Sequence, residues 1–153
     1  MKGERFMKPG IKFLIVFNCV LNIPMAIAMS VTAPLLVGMP VFTPNLLINI
    51  LIGFVLATLI NLLIPIPKIT AGFAALCRQD PESVPGRILG NIPACLIFVV
   101  VIGLVMNLYN VRKVPDFLFA FIGTFLPMYL VCFVVVLIFM PIAVKAATAA
   151  DGR

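Results

Sequence analysis

The sequence predicts an all-α, polytopic membrane protein with four transmembrane helices, arranged as two tandem helical hairpins in parallel repeat. Three observations predict it. Hydrophobic residues make up 63% of the chain and charged ones 10%, where soluble domains carry about 25% charged residues. The charges bracket long uncharged runs. Landmarks in the first half recur, in order, in the second. The apolar composition, with a mean hydropathy of +1.25, excludes both a soluble globular domain and a disordered chain. A length of 153 residues bounds it to a single membrane domain, 1–153.

Each span follows from the uncharged runs. Between Lys12 and Lys68 lie 55 residues without a charge, and two further such runs cover 88–111 and 117–144. Crossing a hydrocarbon core of about 30 Å takes about 20 helical residues, so the first run holds two spans and the others one each. Gly38, Pro40 and Pro44 divide the first run. The expected spans are about 13–37, 45–66, 88–109 and 117–141. A cleavable signal peptide is the competing reading of the start, since Ala26-Ile27-Ala28 has the small-x-small form of a cleavage site. The apolar stretch continues past it to Val37, however, and Asn18 and Asn22 interrupt the supposed core, which favours a retained span. After span two, Ile69, Phe73 and Leu76 recur at helical spacing. They fit either a short amphipathic helix on the membrane surface or a continuation of span two. Residues 79–86, with Asp80, Pro81, Pro85 and Gly86, form a hinge between the hairpins, and 143–150 can prolong span four.

The basic residues orient the spans. Lys2, Arg5, Lys8, Lys12, Lys68, Arg78, Arg87, Lys145 and Arg153 fall on one side, and only Arg112 and Lys113 on the other. Basic loops stay in the cytoplasm, so both termini are expected there. The net charge of +6 follows from this bias, and its dispersal over loops and tails speaks against nucleic-acid binding. Cys19, Cys77, Cys95 and Cys132 form no CxxC or Cys/His pair and read as small packing residues.

Repetition is the most informative feature. Asn22-Ile23-Pro24 recurs as Asn91-Ile92-Pro93, 69 residues later. Pro44-Asn45 recurs as Pro115-Asp116 after 71, Ile52-Gly53 as Ile122-Gly123 after 70, and Ile66-Pro67 as Met140-Pro141 after 74. The nearly constant offset predicts a duplicated two-span unit, repeat 1 at about 11–75 and repeat 2 at about 86–145. Two spans per unit give both copies the same orientation. The stretch Pro24-Met25-Ala26-Ile27-Ala28-Met29-Ser30 and the ending Leu63-Ile64-Pro65-Ile66-Pro67-Lys68 resemble an uncharacterised bacterial family of short two-helix membrane domains, found singly and in tandem. That resemblance implies architecture, a bacterial source and thereby the inner membrane; it implies no activity. The second copy departs from it, with Val99-Val100-Val101 in place of the Met/Ser pattern.

Small and polar residues recur every four positions, which places them on shared helix faces. The candidates for helix packing are Ala26, Ser30, Gly53, Ala57, Gly103 and Thr124, small residues that let backbones approach. Asn22, Asn61 and Asn91, all on the cytoplasmic half, are candidates to line a ligand site or polar pathway, and Tyr129 adds a hydroxyl and an aromatic face. The bland reading gives the same amides to interhelical fastening. Absences narrow the function. The spans hold no Asp, Glu or His, which speaks against proton-coupled transport. No nucleophile–base pair, phosphate loop or metal-ligand cluster is visible, so neither an enzyme nor a cofactor or metal is expected. Two functions stay open: facilitative transport or binding of a small neutral or cationic molecule by an oligomer, and a non-transporting accessory or scaffold subunit that packs against partner helices. Membrane lipid is the one certain neighbour of either.

Overall fold

The computed structural model describes residues 10–152; of the basic residues that set the orientation, Lys2, Arg5, Lys8 and Arg153 lie outside them. Five helices follow in order: α1 (Ile11–Leu36), α2 (Asn45–Leu63), α3 (Ile66–Leu76), α4 (Val84–Val111) and α5 (Asp116–Ala150). All but α3 are long and apolar enough to cross a membrane, so the chain is a multi-pass, all-α membrane protein.

Local chemistry sets the ends. The first helix stops in a Schellman motif: Gly38, at φ 69°, lets its N–H reach the Leu35 carbonyl at 3.3 Å and that of Met39 reach Pro34 at 2.9 Å. Span two ends three residues earlier than expected. Ile64 precedes Pro65 and is extended, at φ −107° and ψ 126°, because proline disfavours the helical region for the residue before it. The chain restarts as α3 rather than continuing span two. Arg78 closes α3, again at positive φ, with its N–H on Ala75 and that of Gln79 on Ala74. The hinge is shorter than predicted: Ser83 caps α4 through a 3.1 Å bond from the Gly86 N–H to its Oγ, and Pro85 is well placed in the first turn. The Ala-rich stretch after Val144 keeps α5 helical to Ala150, nine residues beyond the expected span.

The spanning helices form a ring in which α1 packs on α2 and α5, and α4 on α5 and α2, while α3 lies along α4. Even numbers of spans return the chain to its starting side, and Gly10 touches Asp151 there. Met25, Met29, Phe98, Val99, Ile102 and Met106 fill the centre with Cys95 and Cys132. Outward faces are apolar, as the row Ile122, Leu126, Leu130, Val134 and Ile138 of α5 illustrates; a bilayer satisfies such faces. Close approach requires glycine at Gly90, where a Cβ would stand 2.6 Å from the Thr70 carbonyl oxygen, whereas one on Gly53 would meet that of Ala26 only at an ordinary 3.4 Å contact.

Leu21, Asn22, Met25, Ala26, Met29 and Ser30 are buried on α1, and the positions 69 further on, Gly90, Asn91, Ala94, Cys95, Phe98 and Val99, are buried on α4. On α2 and α5 the expected pairing does not carry over: Gly53 is buried, while Gly123, 70 further on, is exposed, and the buried positions of α5 there are Thr124 and Met128.

Candidate binding site

The amides gather at the end of the bundle that holds residues 10 and 152. On α1, Asn18 and Asn22 are one turn apart on the buried face; the C-terminal part of α2 brings Asn61 across to them. Asn22 Nδ2 donates to Asn18 Oδ1 at 3.0 Å and to Thr58 Oγ1 at 3.2 Å. Asn61 Nδ2 donates to Asn18 Oδ1 at 3.0 Å and to Asn22 Oδ1 at 3.2 Å. Asn18 in turn donates to the Leu14 carbonyl at 2.8 Å. Both polar atoms of Asn22 are therefore engaged, and the cluster ties α1 to α2.

A pocket of about 300 Å³ opens against this cluster. Its walls include Phe13, Phe17, Leu21 and Phe98, with Asn18, Asn61 and Asn91 as its polar groups, and among the described residues no ionisable side chain lines it. Ile66 and Pro67, at the start of α3, also line it, so the break after Leu63 is what brings this part of the wall into place.

Asn91 differs from the others. It is 5% exposed, yet among the described residues its side chain has no hydrogen-bond partner. Asn61 Oδ1 likewise accepts from no described residue. Among the described residues the fully buried polar side-chain atoms without a partner are Ser30 Oγ and Asn49 Oδ1, so the amide atoms of Asn91 keep accessible surface from which a molecule could bond to them. The offsets explain how the vacancy arises. Counting 69 or 71 residues on from Asn18, Thr58 and Asn61, the partners of Asn22, gives Arg87, Tyr129 and Cys132. Arg87 is exposed on the outside of the bundle. Tyr129 turns its hydroxyl to the Ile92 carbonyl at 3.1 Å, and Cys132 stands 3.8 Å from the Met25 sulfur. None of them reaches Asn91.

Of the predicted ligand candidates, Asn61 and Asn91 thus line one pocket, Asn22 stands behind it, and Tyr129 lies outside it, stacked between Phe125 and Phe133. The carbonyl Tyr129 takes is not the one freed by Pro93, which in helical geometry is that of Leu89. All six small-residue candidates, Ala26, Ser30, Gly53, Ala57, Gly103 and Thr124, are buried. Asn18 is not among the predicted ligand candidates, and its position one turn before Asn22 is the signal for its place in the cluster. Two further polar features lie apart from the pocket: Ser30 Oγ is buried without a partner, and Asn49 donates to Asn110 across α2 and α4 at 3.3 Å. In comparisons with known proteins, no family model matches the chain, and no curated protein or solved structure is similar to it.

Proposed function

We propose that the chain binds a small uncharged or cationic molecule in the amide-lined pocket and passes it across the membrane without coupling to protons. Asn91 is the observation that carries this reading: an amide kept buried and unpartnered beside an apolar cavity. With Asn61 Oδ1 it offers two acceptors and one amino donor, suited to a ligand bearing O–H or N–H groups. The pocket's volume is at the lower end of the range for small-molecule sites. A cation would meet no opposing charge there, and the stacked rings of Phe13 and Phe17, 5.9 Å apart, supply faces that attract one.

The repeat belongs to the same proposal. Matching burial at an offset of 69 supports two copies of one hairpin, with the second freed to specialise. Passage needs more than one chain, because Phe98, Val99, Ile102 and Met106 close the centre beyond the pocket; a homo-oligomer would supply the remaining route. The basic bias supports placing both termini in the cytoplasm, and the family resemblance alone supports a bacterial inner membrane. The alternative, a non-transporting accessory subunit, draws on the closed Asn18–Asn22–Asn61 cluster, which works as fastening with or without a ligand. Thermal melting of the purified protein against a library of metabolites and organic cations separates the two. Binding predicts a stabilising compound whose effect disappears in Asn91→Leu; an accessory subunit predicts silence in the library and co-purification of a partner after mild extraction.

A further inference from the structure

Beside the pocket, on the other face of Asn91, runs a larger groove of about 840 Å³ between α3, α4 and α5. Its polarity is ordered along both walls. On α4, Arg87 stands one turn from Asn91, about 6 Å along the helix. On α5, Lys145 stands at the rim, with Met140 and Leu137 further into the bundle. Both cations are exposed and neither forms an ion pair among the described residues. Glu82, also at the rim, is the only acid among the described residues that lines the groove. The capped N-terminus of α4 opens into the same space, adding its positive dipole end.

We infer that this groove holds an anionic phospholipid, its phosphate between Arg87 and Lys145, its ester region at Asn91 and an acyl chain along Met140 and Leu137. Two unpaired cations at a bilayer rim attract an anionic headgroup, and guanidinium and ammonium donors give charge-assisted bonds to phosphate oxygens. The gradient from charge through amide to apolar wall matches an amphiphile rather than a free anion. The buried, unpartnered Asn91 is an independent sign that something polar is received at this depth. The inference does not rest on the proposed function, since Arg87 and Lys145 lie outside the small pocket; the lipid would form the outer wall behind Asn91.

The test uses the full chain purified in a neutral detergent and melted with mixed micelles containing phosphatidylglycerol, phosphatidylcholine, or inorganic phosphate alone. Phosphatidylglycerol should raise the midpoint by about 5 °C or more near saturation, and the shift should shrink at high salt. R87Q/K145Q should remove it, while R112Q/K113Q at the opposite end should keep it. E82Q, which removes the groove's acid, should bring the shift at lower lipid concentration and keeps the inference testable if the double variant does not fold. An equal shift from phosphatidylcholine, the full shift from phosphate alone, or a phosphatidylglycerol shift that survives R87Q/K145Q would each overturn it. A pocket ligand lost in Asn91→Leu but retained in R87Q/K145Q would separate this outcome from that of the proposed function.

Discussion

Asn22 and Asn91 occupy the same tripeptide in the two halves of the chain, and both are buried, at 0% and 5% exposure. One engages both its polar atoms with Asn18, Thr58 and Asn61; the other engages none. Between them the backbone setting is alike, a proline two residues on and a helix face turned inward. The neighbours differ. Where the first half supplies an amide, a hydroxyl and an amide, the second supplies Arg87, Tyr129 and Cys132. Asn22 thus fastens helices because its polar neighbours reach it, whereas Asn91 is left without a partner because Arg87 is exposed and Tyr129 bonds the Ile92 carbonyl instead.

The largest effect that would break this comparison is on stability at Asn22. Asn22→Leu removes three interhelical or i+4 bonds and leaves Asn18, Thr58 and Asn61 with one partner fewer each, so unfolding should become easier by about 2–3 kcal/mol, read from thermal or denaturant unfolding in detergent. No loss there would mean the cluster does not hold α1 to α2. Next comes Gly90→Ala, whose Cβ meets the Thr70 carbonyl oxygen and so pushes α3 off α4, at a cost of about 1–3 kcal/mol. Gly53→Ala meets only the Ala26 methyl at ordinary contact distance, and its melting point should scarcely move. Equal costs at the two glycines would refute the close α3–α4 approach that shapes both cavities.

Orientation is tested without any change in stability. In a background lacking the four native cysteines, Met39→Cys should label from outside intact cells and Ser83→Cys should not. The reverse would invert the chain, and equal labelling of both would indicate dual topology. The smallest expected effect is none at all: because no ionisable side chain among the described residues lines the pocket, affinity for an uncharged ligand should stay flat from about pH 5 to about pH 9. A change of more than about threefold across that range would place an unrecognised titrating group in contact with the ligand.

Much of the fold is legible in the residues. Uncharged runs flanked by Lys12, Lys68, Arg87 and Arg112 delimit the four spans, and Gly38 and Pro65 stop α1 and α2 for reasons that lie within a few residues of each. The offset of 69 places Asn91 on the buried face of α4 because Asn22 is on that of α1. The separation of Asn22 from Asn91 is legible only in part. Sequence shows the pair and even its changed neighbours, yet whether an amide finds a partner depends on how far α2 slides along α1, and on Tyr129 turning toward Ile92 rather than inward. The extension of α5 to Ala150 matches the reading that 143–150 can prolong span four, because alanine sustains a helix past the point where hydropathy stops marking a span.

The central claim is that Asn91 is held without a partner for a ligand, and Asn91→Leu tests it most directly. The measurement is the melting point of the purified variant beside wild type and Asn22→Leu, first alone and then with any compound that stabilises wild type. The account predicts that Asn91→Leu alone melts close to wild type, because the amide it replaces holds no hydrogen bond to a described residue, and that the compound no longer shifts it. A melting point lowered as far as that of Asn22→Leu, or an undiminished response to the compound, would contradict it.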